Sequence, residues 1–127
     1  MHIKAFDHVN VLTANLAAMV DWYGRILDMK VGPRPPFTDD GAWLYLGDHP
    51  FVHLVSVTEH QAAIHPRIEH FAFAADNLAG FRKRLSENNV ECTEAIVPGF
   101  GILQLNIHDP DGNHIHVDFD LAVESSD

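Results

Sequence analysis

The sequence is poor in cysteine and in basic residues. Among its 127 residues Cys92 is the single cysteine, which excludes a disulfide within the chain and any zinc site built from several thiolates. Only 8 lysines and arginines stand against 18 aspartates and glutamates, giving a formal net charge of −10. Because phosphate contacts need concentrated positive charge, we expect neither nucleic acid nor an anionic membrane as a partner.

Long apolar runs are also missing. No stretch reaches the roughly 18 consecutive apolar residues of a membrane helix, and the opening MHIKAFDH has no apolar signal region, so we expect a cytoplasmic protein. Hydrophobic residues nevertheless make up 46% of the chain and charged residues 20%, which suits one folded domain with a proper core.

Histidine, in contrast, is abundant. The chain has ten of them. Imidazole binds transition metals and transfers protons near neutral pH. The positions of the histidines in the sequence must therefore show which of these roles they suit.

An internal repeat organises the chain. The segments FDHVNVLTANLAAMVDWYGRILDMKVG and IEHFAFAADNLAGFRKRLSENNVE align with His70 placed 62 residues after His8, and three further identities share that spacing: Asn15 with Asn77, Leu16 with Leu78, and Ala17 with Ala79. Further along the chain, LGDHPFVHLVSV aligns with HDPDGNHIHVDF, and there His116 follows His53 by 63 residues. We therefore predict one domain over 1–127, made of two modules, 1–60 and 66–122, joined at Glu59–Pro66.

Each module is predicted to be βαβββ, which makes the fold α+β. Strands are indicated by alternating apolar residues and helices by apolar residues at helical spacing. The helix N-caps are predicted at Asn15 in the first module and at Asp76 or Asn77 in the second. The first module has strands at 3–12, near 30–32, at 42–47 and at 51–58, with a helix from Asn15. The second has strands at 68–75, 91–96, 102–108 and 114–120, with a helix after Asn77.

The alternation of side chains along a strand separates two faces. His8 shares a face with Asn10, His70 with small residues, and His116 with His114, whereas bulky apolar residues occupy the opposite faces and should pack under the helices. We predict that the residues at repeat-equivalent positions point into a shared cleft, where they could bind a divalent transition metal: His8, His53, His70 and His116.

Other residues are candidates for the same cleft. His114 faces the same way as His116 and could act as an acid–base group. Four more side chains could line a substrate pocket: Asn10, Trp43, Gln104 and Asn106.

The paired modules, the opening FDHVNVLTANLAAMVDWYGRILDMKVG and the closing DPDGNHIHVDF resemble the vicinal oxygen chelate superfamily over about 3–120. This group includes glyoxalase I, fosfomycin-resistance, extradiol dioxygenase and bleomycin-resistance proteins. The resemblance implies two βαβββ modules that form an open, barrel-like cup with helices outside, and commonly a homodimer. It also implies metal ligands on the first and last strands of each module, which here are His8, His53, His70 and His116.

One residue departs from the family pattern. Most metal-dependent members have a glutamate where this chain has His116, so the usual carboxylate ligand is replaced by a neutral imidazole. The metal, which could be Fe, Zn, Ni, Mn or Cu, would then keep its full charge, and no ligand carboxylate would be available as a base. This favours a dioxygenase-like enzyme acting on a small molecule with adjacent oxygens. A glyoxalase-type lyase or isomerase, and a non-catalytic binder like the bleomycin-resistance proteins, stay open as alternatives.

Overall fold

The computed structural model describes residues 1–60 and 68–125, and the predicted joining stretch Glu59–Pro66 lies mostly outside those ranges. The chain divides into two compact units, Met1–Ala62 and Ala63–Asp127. Each unit contains a helix and a four-stranded mixed sheet, so the α+β prediction with two βαβββ modules is confirmed.

The first unit has the sheet order β1-β4-β3-β2, in which the first and last strands pair in parallel and the other pairs are antiparallel. Its elements are β1 (Val9–Thr13), α1 (Leu16–Leu27), β2 (Lys30–Gly32), β3 (Gly41–Leu46) and β4 (His49–Ser56).

The second unit repeats this arrangement with the order β5-β8-β7-β6. Its elements are β5 (Phe71–Ala75), α2 (Leu78–Glu87), β6 (Thr93–Val97), β7 (Ile102–His108), β8 (His114–Asp120) and a short α3 (Leu121–Glu124). The sequence analysis did not predict α3.

The opening strands are shorter than predicted. β1 starts at Val9 instead of residue 3, and β5 starts at Phe71 instead of residue 68. Pairing begins only where Val9 meets Val52 and Phe71 meets Ile115, and the residues just before are exposed. His8 and His70 therefore each stand immediately before a strand, where the backbone is less constrained than inside a ladder.

The core of the first unit lies between α1 and one face of its sheet. The helix buries Met19, Trp22, Tyr23 and Ile26, and the strands bury alternate residues Ala42, Leu44, Val52 and Leu54. Since side chains alternate across a strand, Trp43 and His53 project from the opposite face. This alternation places the candidate site away from the helix.

The second unit follows the same plan. β7 and β8 bury Leu103, Leu105, Ile107, Ile115, Val117 and Phe119, while α2 buries Leu78 and Leu85. Phe81 of α2 lies against Phe119, with ring centroids 5.8 Å apart. The residues between the buried ones, including Asn106, His114 and His116, therefore lie on the other face.

The helices begin as the sequence indicates, with Asn15 and Asn77 at the N-cap positions. The Asn77 side chain accepts a hydrogen bond from Gly80 N at 3.1 Å. A second contact comes from α3, whose Glu124 Oε1 accepts from Leu78 N at 2.9 Å. At 12 residues, α1 is the longest helix in 1–60 and 68–125, too short to cross a membrane.

Candidate metal centre

Each unit stacks two histidines face to face. In the first unit the rings of His8 and His53 have centroids 3.8 Å apart and planes 11° apart. In the second, the rings of His70 and His116 have centroids 3.9 Å apart and planes 12° apart. The structure thus brings the predicted ligands together as two pairs, one in each unit, with nearly identical geometry.

The second unit adds another histidine to its pair. The His114 ring centroid lies 4.7 Å from that of His116 and 5.4 Å from that of His70. One ligand atom from each of these three residues lies within 4.8 Å of the other two. We call His70, His114 and His116 the three-histidine cluster; it could hold a metal ion.

Glu69 hydrogen-bonds to two members of the three-histidine cluster. Its Oε2 accepts from His70 Nδ1, and its Oε1 accepts from His114 Nδ1 at 2.7 Å. These two hydrogen bonds, the one from His70 first, lower the pKa of the Glu69 carboxyl, so it stays ionised at neutral pH. Since a carboxylate only accepts hydrogen bonds, both histidines carry a proton on Nδ1 in this arrangement.

Asn106 holds the other side of His114. The Asn106 amide nitrogen donates to the Thr93 carbonyl at 3.3 Å, which orients the amide oxygen toward His114 Nε2 at 2.9 Å. Both nitrogens of His114 therefore have oxygen partners, unlike the buried Nδ1 of His116, which has no hydrogen-bond partner among the described residues. His114 is therefore held by hydrogen bonds at both nitrogens, whereas His116 has a nitrogen that is available to bind a metal.

The first unit has a corresponding acid. Asp7 Oδ2 accepts from His8 Nδ1 at 2.6 Å, and the Asp7 carbonyl accepts from His49 Nε2 at 2.7 Å. His53 Nε2 donates to the Pro50 carbonyl at 3.1 Å, which leaves its Nδ1 as the nitrogen with a lone pair. The far face of His53 is covered by Trp43, whose ring is stacked at 3.9 Å.

Burial keeps one histidine of each pair neutral. Desolvation is the main cause that lowers the pKa of His116, followed by the charges of His70 and His114. Desolvation also lowers the pKa of His53, followed by the charge of His8. A metal requires the neutral ring, so both shifts favour ligation at physiological pH.

The histidines of each unit are of a type that suits a divalent transition metal. Neutral imidazole suits Zn, Cu, Fe and Ni, and a ligating histidine commonly gives its other N–H to a carboxylate or a carbonyl. His8, His53 and His70 make such hydrogen bonds, to Asp7, Pro50 and Glu69. His116, 8% exposed, presents an orphaned nitrogen that a metal would satisfy.

The predicted pocket residues differ in their surroundings. Asn10 is exposed and lies opposite His53 in the β1–β4 ladder, whereas Trp43 is half-buried. Gln104 is half-buried and lies opposite Asp118, whose Oδ1 is buried with no hydrogen-bond partner among the described residues. Asn106 is committed to His114 and Thr93 by hydrogen bonds.

Sequence reasoning missed Asp7 and Glu69. The signal was present, because an acid directly precedes the first histidine of each repeat, as Asp7-His8 and Glu69-His70. Side chains of adjacent residues point to opposite faces within a strand, which argues against such a contact. The contact forms because both pairs precede their strands.

Comparisons with known proteins agree with this fold. A profile of the Glyoxalase/Bleomycin resistance protein/Dioxygenase superfamily matches residues 5–117. The chain is 30% identical over 125 residues to "Glyoxylase I 4" of Arabidopsis thaliana, with 92% of this chain and 71% of that protein covered.

Solved structures show the same fold. A glyoxalase-family protein of Bacillus anthracis is similar with a TM-score of 0.78 at 22% identity, covering 94% of this chain and 98% of that one. The trypanothione-dependent glyoxalase I of Leishmania major is similar with a TM-score of 0.70 at 18% identity, covering 95% and 90%. From the profile and the Arabidopsis relative together, the chain belongs to the Glyoxalase/Bleomycin resistance protein/Dioxygenase superfamily.

Proposed function

We propose that this chain is a metal-dependent enzyme that transfers a proton on a small molecule with two adjacent oxygens, as a glyoxalase-type lyase or isomerase does. The observation that carries the proposal is the hydrogen bond between His114 and Glu69, 2.7 Å long, beside the stacked pair of His70 and His116. It provides a group that handles protons next to residues suited to a metal.

In this proposal the four repeat-related histidines are metal ligands, His8 and His53 in the first unit and His70 and His116 in the second. A divalent transition ion held by such ligands would supply positive charge that stabilises negative charge on the substrate oxygens. His70 keeps its Nε2 lone pair available, because its Nδ1 proton is held by Glu69. His116 offers its buried Nδ1.

His114 is proposed to be the acid–base residue. Glu69 and Asn106 hold its ring from both sides, so its orientation is fixed before a substrate arrives. Because Glu69 holds the Nδ1 proton, the ring can take a proton from a carbon only at Nε2, once a substrate displaces the Asn106 oxygen there, and can return it to the neighbouring carbon while the ionised Glu69 stabilises the protonated ring. General acid–base catalysis of this kind contributes about 10²–10⁴-fold to a rate.

Four residues are proposed to contact the substrate: Asn10 and Trp43 of the first unit, and Gln104 and Asn106 of the second. Trp43 offers an apolar wall, and the amides of Asn10 and Gln104 offer hydrogen bonds to substrate oxygens. The homodimer that the resemblance implies and the cytoplasmic location expected from the sequence stay predictions.

Two observations favour proton transfer over ring cleavage. Among the described residues, no carboxylate belongs to the three-histidine cluster, so the two-histidine, one-carboxylate set of non-haem Fe(II) oxygenases is missing there. The Arabidopsis relative and the Leishmania enzyme are both named as glyoxalase I proteins. The test must therefore distinguish the proposed proton transfer from a dioxygenase and from a non-catalytic binder.

The test follows a carbon-bound proton. Protein stripped with a chelator and reloaded with Zn, Ni, Mn, Fe or Cu is mixed in D₂O with a hemithioacetal formed from a 2-oxoaldehyde and a thiol. We expect loss of the C–H signal by NMR and isomerised product only with the reloaded protein. Oxygen uptake with a catechol would instead identify a dioxygenase, and a folded chain that binds no metal would identify a binder.

The ligand assignment has its own variant. His70→Ala should lose the bound metal while the protein stays folded, because His70 is exposed and contributes little to the core. The measurement is elemental analysis per chain, with circular dichroism as the folding check. His60→Ala, which removes an acceptor for Ala14 N and no proposed ligand, should keep its metal. Unchanged metal content in His70→Ala would refute the assignment.

A further inference from the structure

An acid stands directly before the first histidine of each unit and bonds to it. Asp7 is bonded to His8, and Glu69, 62 residues later, is bonded to His70. Each acid also reaches a second histidine of its own unit. Asp7 Oδ1 lies 3.6 Å from His49 Nε2, and Glu69 Oε1 lies 2.7 Å from His114 Nδ1.

We propose that Asp7 and Glu69 are positioning residues, which fix the proton of His8 and of His70 on Nδ1 and so leave Nε2 as the metal-binding nitrogen. The inference rests on the proposed metal-dependent function. Neither acid is proposed to touch the metal or the substrate.

The physical basis is the choice between two ring tautomers. A neutral imidazole carries its single proton on either nitrogen, and only the other nitrogen can bind a metal. A carboxylate next to Nδ1 stabilises the Nδ1–H form and fixes the plane of the ring. An ordered ring loses less entropy when it binds, and the carboxylate also makes the ligand nitrogen more basic.

A purely structural role accounts poorly for these acids. The side chains of Asp7 and Glu69 are 69% and 67% exposed, and ion pairs between exposed groups contribute little to stability because water screens them. A contact that contributes so little to folding nevertheless recurs in both units, each time on the histidine proposed as a ligand. The recurrence points to a role in the site.

The first readout is metal affinity. Zn²⁺ binding to the full chain is measured in competition with a chromophoric chelator, for wild type, Glu69→Gln and Glu69→Ala. Loss of an outer hydrogen-bond partner typically weakens metal binding about 10–100-fold, so we expect a loss of that size in Glu69→Ala. Glu69→Gln, whose neutral amide oxygen can still accept a hydrogen bond, should show a smaller loss.

Glu87→Gln is the matched control. Glu87 is exposed on α2 and lies 3.8 Å from Lys83, so this change removes the same charge without touching a histidine. It should leave the affinity unchanged. Equal losses in Glu87→Gln and Glu69→Gln would mean that only net charge matters and would overturn the proposal.

The second readout needs no metal. Nitrogen-15 NMR of the metal-free chain, at a pH where His70 is neutral, reports which ring nitrogen carries the proton. We expect the Nδ1–H form in wild type and a shift toward Nε2–H in Glu69→Ala. An unchanged tautomer would overturn the positioning role even if metal binds. A wild-type chain without metal but with the expected shift would instead disprove only the proposed function.

Discussion

The two units share a scaffold and differ in what surrounds their paired histidines. At the same place in the sheets, opposite the histidine of the last strand, the first unit has Trp43 and the second has Asn106. Two residues before that histidine, the first has Phe51 and the second has His114. The ring pair and its acid are present in both units, whereas the neighbours at these two positions are aromatic in the first unit and hydrogen-bonding in the second.

The surroundings of the two histidine pairs therefore differ chemically. Trp43 stacks on His53, and Phe51 lies against His49 with centroids 4.4 Å apart, so the first unit presents an aromatic surface. In the second unit His114 and Asn106 form a hydrogen-bonded chain that begins at Glu69. The two pairs are similar, but His114 of the second unit has Phe51 as its equivalent in the first.

Making the second unit resemble the first should have the largest effect. His114→Phe places at 114 the residue found at 51, and removes the proposed acid–base group while keeping His70 and His116. We expect the rate of hemithioacetal isomerisation to fall by about 10²–10⁴-fold with the metal content unchanged. The measurements are the NMR rate and elemental analysis.

Phe51→Leu is the control for that variant, because it alters the equivalent place in the first unit without removing a titratable group. It should keep the rate within a few-fold of wild type. If His114→Phe keeps its rate as well, the proposed division between the units is wrong.

The turns before the two last strands should differ in stability. Asp109, 5% exposed, accepts hydrogen bonds from Asp111 N at 3.0 Å and from Asn113 N and Nδ2 at 2.9 and 2.8 Å. Asp109→Ala removes those acceptors and should cost about 2 kcal/mol in the free energy of unfolding. Asp48→Ala, in the exposed β3–β4 turn, should stay within about 0.5 kcal/mol. Chemical denaturation measures both; equal costs would contradict the comparison.

The smallest expected effect is a pH dependence common to both units. The pKa values of His53 and His116 lie below the ordinary value of about 6.5, so the unfolded chain takes up these protons more readily. The free energy of unfolding of the metal-free protein should therefore fall as the pH falls from about 6.5, and level off below the folded pKa values.

Denaturation at a series of pH values measures that slope. The carboxyls of Asp7 and Glu69, whose pKa values are lowered, lose their contribution only at more acidic pH. His116→Gln and His53→Gln should each flatten the slope near pH 6. A slope that neither substitution changes would mean that other groups cause it.

Much of the fold could be predicted because local signals agree with each other. Asn15 and Asn77 occupy the N-cap positions as predicted, and the repeat located matching strands in both halves. The stacking of His8 on His53 and of His70 on His116 follows the repeat, since parallel pairing of the first and last strands brings the same two positions together within each unit.

The remaining features depend on tertiary contacts that no local pattern shows. Glu69 and His114 are 45 residues apart in sequence, and their hydrogen bond depends on the register of β5 against β8. The short α3 follows β8 and carries Glu124, whose bond to Leu78 N joins it to a helix 46 residues earlier. The starts of β1 and β5 were predicted too early in the sequence. The alternating pattern continues into residues that have no partner strand among those described.

The parallel pairing of first and last strands sets an order for biosynthesis. β1 pairs with β4 and β5 with β8, so neither sheet can close until its final strand has left the ribosome. The first sheet is complete once Ser56 has emerged, whereas the second waits for Asp120. The first unit can therefore fold on the nascent chain while the second unit, which carries the proposed acid–base residue His114, is still being translated.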